Sequence, residues 1–437
     1  MSEYRAKKKY AEASYAIQYT SRIRLLIGLV TAVAIIICTP LLAKYYFKDD
    51  RALAILPAFA VLAFIINLPR ILSGLFNAVQ QNKFVGLIQF LQKFLFLVFF
   101  WGIASLGFKA DLVTASWALV GGFFATAVLL FYWAAKHTEM FRYSAKKTPE
   151  LTANIRSFAW ATWLAYMANS LVAYVDTTML TYMRSLEEVG IYNVVAPTVM
   201  VFTAFGSSVN KVFFPMVSEL WAKEKKAQLS QGFETVEKYA LIVVVPATLV
   251  LMVFPEIILQ ILFTKKFVIG ASAMRALSLS IIFLTTFSIS SALFNGIGKP
   301  EIVKRIVYWA AGFNVFANLV LIYFYGVLGA ALSTTGSTFI MFFLGLKNLK
   351  KYVEISPKFS QYLKILGASV VFLITAMVLK SVFVFDIYVK LFLIIIISAT
   401  MYLASCYVLR LISLKEISSL LRLLKKKQVP PPEMDSD

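Results

Sequence analysis

Asp176 lies in the apolar run LVAYVDTTMLTYM, within a helix expected over about 156–182. Thr162, Tyr166, Asn169, Ala173 and Asp176 follow one another at steps of four, three, four and three, so they share one helical face. A carboxylate on that face is costly against lipid and belongs against other helices or a watery cavity, where it can exchange a proton or hold a cation. The following segment, read as one helix, carries Asn193, Thr203, Ser207 and Asn210 on one face. Such residues either line a polar cavity or join helices by hydrogen bonds, and both readings stay open for Asn169, Asn193 and Asn210.

Two cations stand out in the first third of the chain. Lys93 lies in mid-helix, roughly 15 Å from the inner end at 1.5 Å per residue, close to the centre of a hydrocarbon core about 30 Å thick. Gln89 is one turn away from it and Gln92 adjoins it. Arg70 follows Pro69 in the preceding span. A guanidinium fork matches a phosphate and an ammonium supplements it as a point charge, so the pair suits the diphosphate of a lipid carrier. The alternative is that Lys93 pairs with a buried acid and Arg70 meets lipid headgroups.

The elements that must position these groups are membrane helices. The chain has 437 residues, 60% of them hydrophobic and 15% charged, with 38 Phe. That composition is a polytopic membrane protein's, not a soluble domain's. Spans of about 20 apolar residues are expected at 24–44, 53–80, 84–106, 112–135, 156–182, 190–213, 238–262, 270–295, 302–324, 327–347, 361–383 and 388–410. With the amino terminus inside, the inner connections hold 32 of the 43 Lys and Arg and the outer ones 10. This bias places both termini in the cytoplasm and accounts for the +21 net charge without nucleic acid. Cys38 and Cys406 lie in apolar runs and His137 is the single histidine, which supports neither a disulfide framework nor a zinc site. The expectation is no cofactor and no metal. No Gly-rich phosphate loop or catalytic carboxylate pair appears, and the connections 136–155 and 214–237 are too short for a catalytic domain. A membrane glycosyltransferase is therefore disfavoured.

The chain repeats itself. Ser73-Gly-Leu-Phe-Asn77 corresponds to Ser291-Ala-Leu-Phe-Asn295, and Arg51-Ala-Leu53 to Arg275-Ala-Leu277. The expected organisation is an amphipathic cytoplasmic segment 1–23, a first lobe 24–135 of four helices, a linker 136–155, a second lobe 156–347 of six, an added pair in 361–410, and a basic tail 411–437 with a disordered end. The first lobe is thus two helices short of the second. Repeated halves around a midplane site are the habit of secondary transporters, which work by alternating access. Pro69, Pro197 and Pro246 are the hinge candidates.

Several motifs carry a family likeness: Asp176 with Glu188, Gly190, Tyr192 and Asn193 in VDTTMLTYMRSLEEVGIYN; Pro215, Ser218 and Leu220 in FFPMVSEL; LFNGIGKP over 293–300; Asn314 and Asn318; and YGVLGAALSTTGS over 325–337. In that order the chain resembles the polysaccharide-biosynthesis branch of the multidrug/oligosaccharidyl-lipid/polysaccharide exporter superfamily, relatives of the MATE transporters, without the first two helices of its usual fourteen. The resemblance implies an all-α polytopic bundle of two pseudo-symmetric lobes. It implies a flippase for polyprenyl-diphosphate-linked oligosaccharide in the cytoplasmic membrane, with glycosyltransferases or a polymerase of the same pathway as partners. A multidrug or cation antiporter of the same fold and an inactive shortened transporter are the competing expectations. Gly326, Gly329 and Gly336 with Ala330 and Ala331 point to close helix contact. Asn314 and Asn318, one turn apart, point to an interhelical hydrogen bond.

Overall fold

A computed structural model describes residues 10–78, 82–137, 149–353, 359–382 and 387–412. Much of the expected segment 1–23, linker 136–155 and tail 411–437 therefore lies outside the described residues. The described chain is helical throughout, as a backbone in hydrocarbon requires when every N–H and C=O must be paired within its own segment. Eleven of its helical segments are long and apolar enough to cross a membrane. It is a multi-pass membrane protein. It divides into two compact units, Met1–Leu171 and Val172–Asp437.

The first unit begins with α1 (Tyr10–Leu41), which passes beyond Pro40 into a π-helical turn, Leu42–Phe47, closed by Lys48 at φ 53°. Pro40 has no N–H to offer the preceding turn, and the chain widens directly after it. Then come α2 (Arg51–Ile65), α3 (Asn67–Ala78), α4 (Asn82–Ser105) and α5 (Leu112–His137). The span expected over 53–80 is interrupted at Ile66, and Pro69 falls in the first turn of α3, where a missing N–H costs nothing. Asn67 donates its side-chain amide to the carbonyls of Ala63 and Phe64 at that break. Gly122 lets α5 approach α4 closely, since a Cβ there would sit 2.8 Å from the backbone nitrogen of Phe96. Only 17% and 6% of the membrane windows of α1 and α4 are buried, against 44% for the window over Lys265–Gly296.

Helix α6 (Pro149–Met183) leads into the second unit, which continues with α7 (Leu186–Met200), α8 (Thr203–Ala222), α9 (Lys226–Val253), α10 (Pro255–Leu262), α11 (Ala271–Gly296), α12 (Pro300–Tyr325), α13 (Val327–Leu349), α14 (Phe359–Val382) and α15 (Ile387–Val408). The span expected over 156–182 lies on α6, many of whose side chains are outside the described ones. Two expectations need correction. The segment 190–213 is two helices broken at Val201–Phe202. The span 238–262 is α9 followed by α10, with Pro255 opening the new helix. The expected connection 214–237 is mostly helical, closed by a tight turn with Glu224 at φ 55°. Hydropathy marks where lipid ends, whereas helices run on until a turn residue stops them.

Helix α11 is the centre of the second unit. Met274, Leu277, Ile281, Ile289, Leu293 and Phe294 are fully buried. So are Ser278 and Ser290, whose hydroxyls donate to the carbonyls of Met274 and Thr286 one turn back and remain satisfied without water. In LFNGIGKP, α11 ends at Gly296, Gly298 takes φ 74° in the turn, and Pro300 starts α12. Tyr402 on α15 donates to the carbonyl of Ile242 and ties the last helix pair to α9.

Candidate functional site: an intramembrane carboxylate

Four helices converge on Asp176, which α6 presents two turns before its end. Tyr192 on α7 donates its hydroxyl to Oδ2 at 2.6 Å, and Asn318 on α12 donates Nδ2 to Oδ1 at 2.6 Å. Thr334 on α13 donates its hydroxyl to Oδ2. Asn318 Nδ2 also reaches Asn314 Oδ1 at 3.1 Å, and Asn314 Nδ2 reaches Thr334 Oγ1 at 3.5 Å. Tyr192, Asn314 and Asn318 are buried. Among the described residues, Asn318 Oδ1 is buried with no hydrogen-bond partner and no cation forms an ion pair with Asp176.

An acid held by neutral donors alone has a definite chemistry. Charge-assisted bonds stabilise the carboxylate without neutralising it. The hydroxyls of Tyr192 and Thr334 rotate to accept when the acid is protonated, so the cage serves both states. Asn318 Nδ2 stands between Asp176 Oδ1 and Asn314 Oδ1, so the amide links the carboxylate to Asn314.

The surrounding motif is structural. Ser185 accepts the Glu188 N–H and caps α7. Arg184 donates to the carbonyls of Ile322 and Tyr323, closing the end of α12. Gly326 sits at φ 54° and ψ −125°, and a Cβ on it would meet the Glu188 carboxylate, so this glycine answers to backbone conformation. Gly329 answers to helix contact, as expected, because its Cβ would fall 2.0 Å from the carbonyl oxygen of Leu321.

The other candidate residues are placed as follows. Arg70 on α3 and Gln89 and Lys93 on α4 are exposed; among the described residues neither cation forms an ion pair. Asn193 accepts from Thr177 at 3.2 Å, and Asn210 donates to the carbonyl and hydroxyl of Ser288. The break at Val201–Phe202 thus separates two residues that a single helix was expected to align, and each joins a different neighbour. The backbone of Asn169 lies in α6, but its side chain, like those of Thr162 and Tyr166, is outside the described ones.

Glu237 escaped the sequence reading because it was assigned to a connection. It is buried on α9 and accepts from the Tyr362 hydroxyl of α14 at 2.8 Å. An acid at the edge of the apolar run that begins at Tyr239 was the available signal. Tyr362→Phe is expected to cost about 1–3 kcal/mol by leaving that carboxyl without its donor. Thermal unfolding of the purified protein measures this, and an unchanged midpoint contradicts it.

A family model described as "Polysaccharide biosynthesis protein" matches residues 2–221, half of the chain. The chain belongs to the polysaccharide biosynthesis protein family. A second model, MatE, matches residues 161–320 and so includes Asp176, Tyr192, Asn314 and Asn318. This member of the family lies within the multidrug/oligosaccharidyl-lipid/polysaccharide exporter superfamily. It is 27% identical over 442 residues to the membrane protein MJ1068 of Methanocaldococcus jannaschii, covering 97% of this chain and 86% of that one. It is 24% identical over 189 residues to a Haloferax volcanii protein named as the probable low-salt glycan biosynthesis flippase Agl15. That match covers 43% of this chain and 40% of Agl15. Its fold is similar to that of the lipid II flippase MurJ in an inward closed conformation, with a TM-score of 0.73 and 16% identity over 92% of this chain and 84% of that one.

Proposed function

We propose that this protein is a flippase that carries polyprenyl-diphosphate-linked oligosaccharide across the cytoplasmic membrane for cell-surface polysaccharide or glycan assembly. Membership of the polysaccharide biosynthesis family carries this reading, and the names of Agl15 and MurJ agree with it. Transport proceeds by alternating access. Asp176 is the coupling acid, taking up a proton or a sodium ion within its cage of neutral oxygens and amides. Both termini are cytoplasmic, by the distribution of Lys and Arg. The protein acts as a transporter rather than an enzyme, alongside the glycosyltransferases or polymerase of its pathway.

Proteoliposomes containing the purified chain and a fluorescent polyprenyl-diphosphate-linked oligosaccharide test this directly. Accessibility of the glycan to an external lectin should rise with time only when the protein is present. No flipping by the wild-type chain favours an inactive transporter. Extrusion of organic cations in place of glycan lipid favours an antiporter, a second reading supported by the MatE match and by the absence of a partner cation at Asp176 among the described residues.

Arg70 and Lys93 are proposed to hold the carrier's diphosphate. Lys93 stands roughly 16 Å along α4 from its start at Asn82. An ammonium at that depth, with no acid paired to it among the described residues, calls for water or an anionic ligand. Arg70→Ala and Lys93→Ala are each expected to reduce flipping by about tenfold or more, the effect of one lost charge-assisted contact of about 1.5–3 kcal/mol. Unimpaired flipping in both variants would remove the assignment.

A further inference from the structure

We infer that Glu237 is a proton-binding site whose neutral form docks the last helix pair, α14 and α15, on α9. The site is separate from the Asp176 cage and stands whether or not the chain is a flippase. On α9, Leu229, Phe233, Glu237, Ala240 and Val244 follow one another at steps of four, four, three and four, so they form one stripe. All five are buried, Glu237 with 4% of its surface exposed. Phe233 and Ala240 lie in the apolar cluster that holds Phe213 of α8 and Ile289 and Leu293 of α11. An acid therefore occupies a place in a core stripe that an apolar side chain would fill. On α14, Tyr362, Ile365, Ser369, Phe372 and Ala376 share a face by the same kind of spacing. The last four are buried, and Tyr362 opens that face.

Tyr362 donates its hydroxyl to Glu237 Oε2 at 2.8 Å, the one hydrogen bond of that carboxyl among the described residues. Among them no cation pairs with it. The titratable groups among them that act on it are Tyr362 of α14 and Glu234, one turn earlier on α9; α8, α10, α11 and α15 bring none. One neutral donor does not replace the hydration of a carboxylate, and a second acid nearby repels its charge. The same pocket holds a carboxylic acid at little cost, because the phenol bonds its carbonyl oxygen. Tyr362 is 37% exposed, so one edge of the site meets water, and a proton can enter and leave there. The consequence falls on the helix pair. Besides apolar packing, the pair is tied to the rest of the second unit by Tyr362 to Glu237, by Tyr402 to the carbonyl of Ile242, and by Lys380 over the Phe254 ring at 5.5 Å. An ionised Glu237 is a charge within a core, and α14 must yield to let water reach it. Docking is therefore favoured where Glu237 keeps its proton and is weakened as pH rises. In the orientation proposed above, this end of α9 is the cytoplasmic one, so the site reads cytoplasmic pH.

Cys406 on α15 is fully buried and reports undocking of the pair. Cys38 is exposed and is removed by Cys38→Ser. The full chain in phosphatidylcholine nanodiscs is labelled with a maleimide from mildly acid to mildly alkaline pH. Each rate is divided by that of free cysteine at the same pH, because the thiolate is the reacting form. The expected result is a normalised rate that climbs about tenfold or more with pH when Glu237 is present. In Glu237→Gln, whose amide is the neutral isostere of the acid, the rate should stay low and flat. Infrared difference spectra over the same range should show a carboxylic C=O band that fades as pH rises. That band should be absent in Glu237→Gln and shifted in Tyr362→Phe, which loses the phenol's hydrogen bond. The Tyr362→Phe spectrum keeps the assignment testable if Glu237→Gln does not fold. A carboxylic band unaltered in both variants means that Glu237 is ionised throughout and overturns the proton site. A Cys406 rate that is flat in the presence of Glu237, or that climbs equally in Glu237→Gln, overturns its role in docking the pair.

Discussion

Asp176→Asn is expected to leave the protein inserted and folded while lowering transport about tenfold or more and flattening its dependence on pH and sodium. The substitution is isosteric, so all three partners keep a group to bond. Asn318 retains its acceptor, and the hydroxyls of Tyr192 and Thr334 turn to accept from the new amide. What is lost is the single negative charge, and with it the capacity to bind a proton or a cation. A tenfold loss corresponds to about 1.4 kcal/mol, a modest demand for a charge held away from water. Asp176→Ala should behave differently, because it strands Tyr192, Asn318 and Thr334 as unpaired donors. Hydrogen bonds between membrane helices average about 0.6 kcal/mol, so the Ala variant should lose about 2 kcal/mol of stability as well as transport. The discriminating measurement is proteoliposome flipping against external pH and sodium, paired with thermal unfolding. Transport and pH dependence that both survive in the Asn variant would exclude Asp176 from coupling.

Gly329→Val is expected to unfold the second unit or lower its midpoint more than any other single glycine change in α13. A Cβ at this position would lie 2.0 Å from the carbonyl oxygen of Leu321, 2.3 Å from its carbon and 2.7 Å from the nitrogen of Ile322. All three are backbone atoms, so relief requires α12 and α13 to separate, which also disturbs Asn318 and Thr334 beside Asp176. Overpacking that moves a backbone costs about 3 kcal/mol or more. Gly336→Ala should cost less, since its Cβ meets only the Phe313 ring at 2.9 Å, and a ring can turn. Gly367→Ala supplies the control: nothing lies within 4 Å of its Cβ, and an Ala in a helix interior gains up to about 1 kcal/mol over Gly. Thermal unfolding in detergent ranks the three variants. A Gly329→Val protein as stable as wild type would contradict the close contact of α12 and α13.

Much of this protein was legible in its order of residues, because lipid imposes simple rules. An apolar run of sufficient length must be a helix, and a charge inside it must have a reason. The spans, the oddity of Asp176 and the shared face of Asn314 and Asn318 follow from composition and the helical period alone. So does the assignment of Gly329 to helix contact. The partners of Asp176 did not follow. Tyr192, Asn318 and Thr334 come from three other helices, the last of them 158 residues away. Helical periodicity orders the faces of one helix and says nothing about which face of a distant helix meets it. The break at Val201–Phe202 and the opening of α10 at Pro255 were likewise invisible to hydropathy, which averages over a window and passes across a turn between two apolar segments. Glu237 was hidden for the same reason, since only the packing of α14 on α9 shows that an acid at the edge of an apolar run is buried and takes its hydrogen bond from Tyr362. The sequence by itself determined a helical membrane protein with a carboxylate inside it. The tertiary structure decided that neutral donors from three other helices hold that carboxylate, because contacts between distant segments are set by how helices pack and not by the spacing within any one of them.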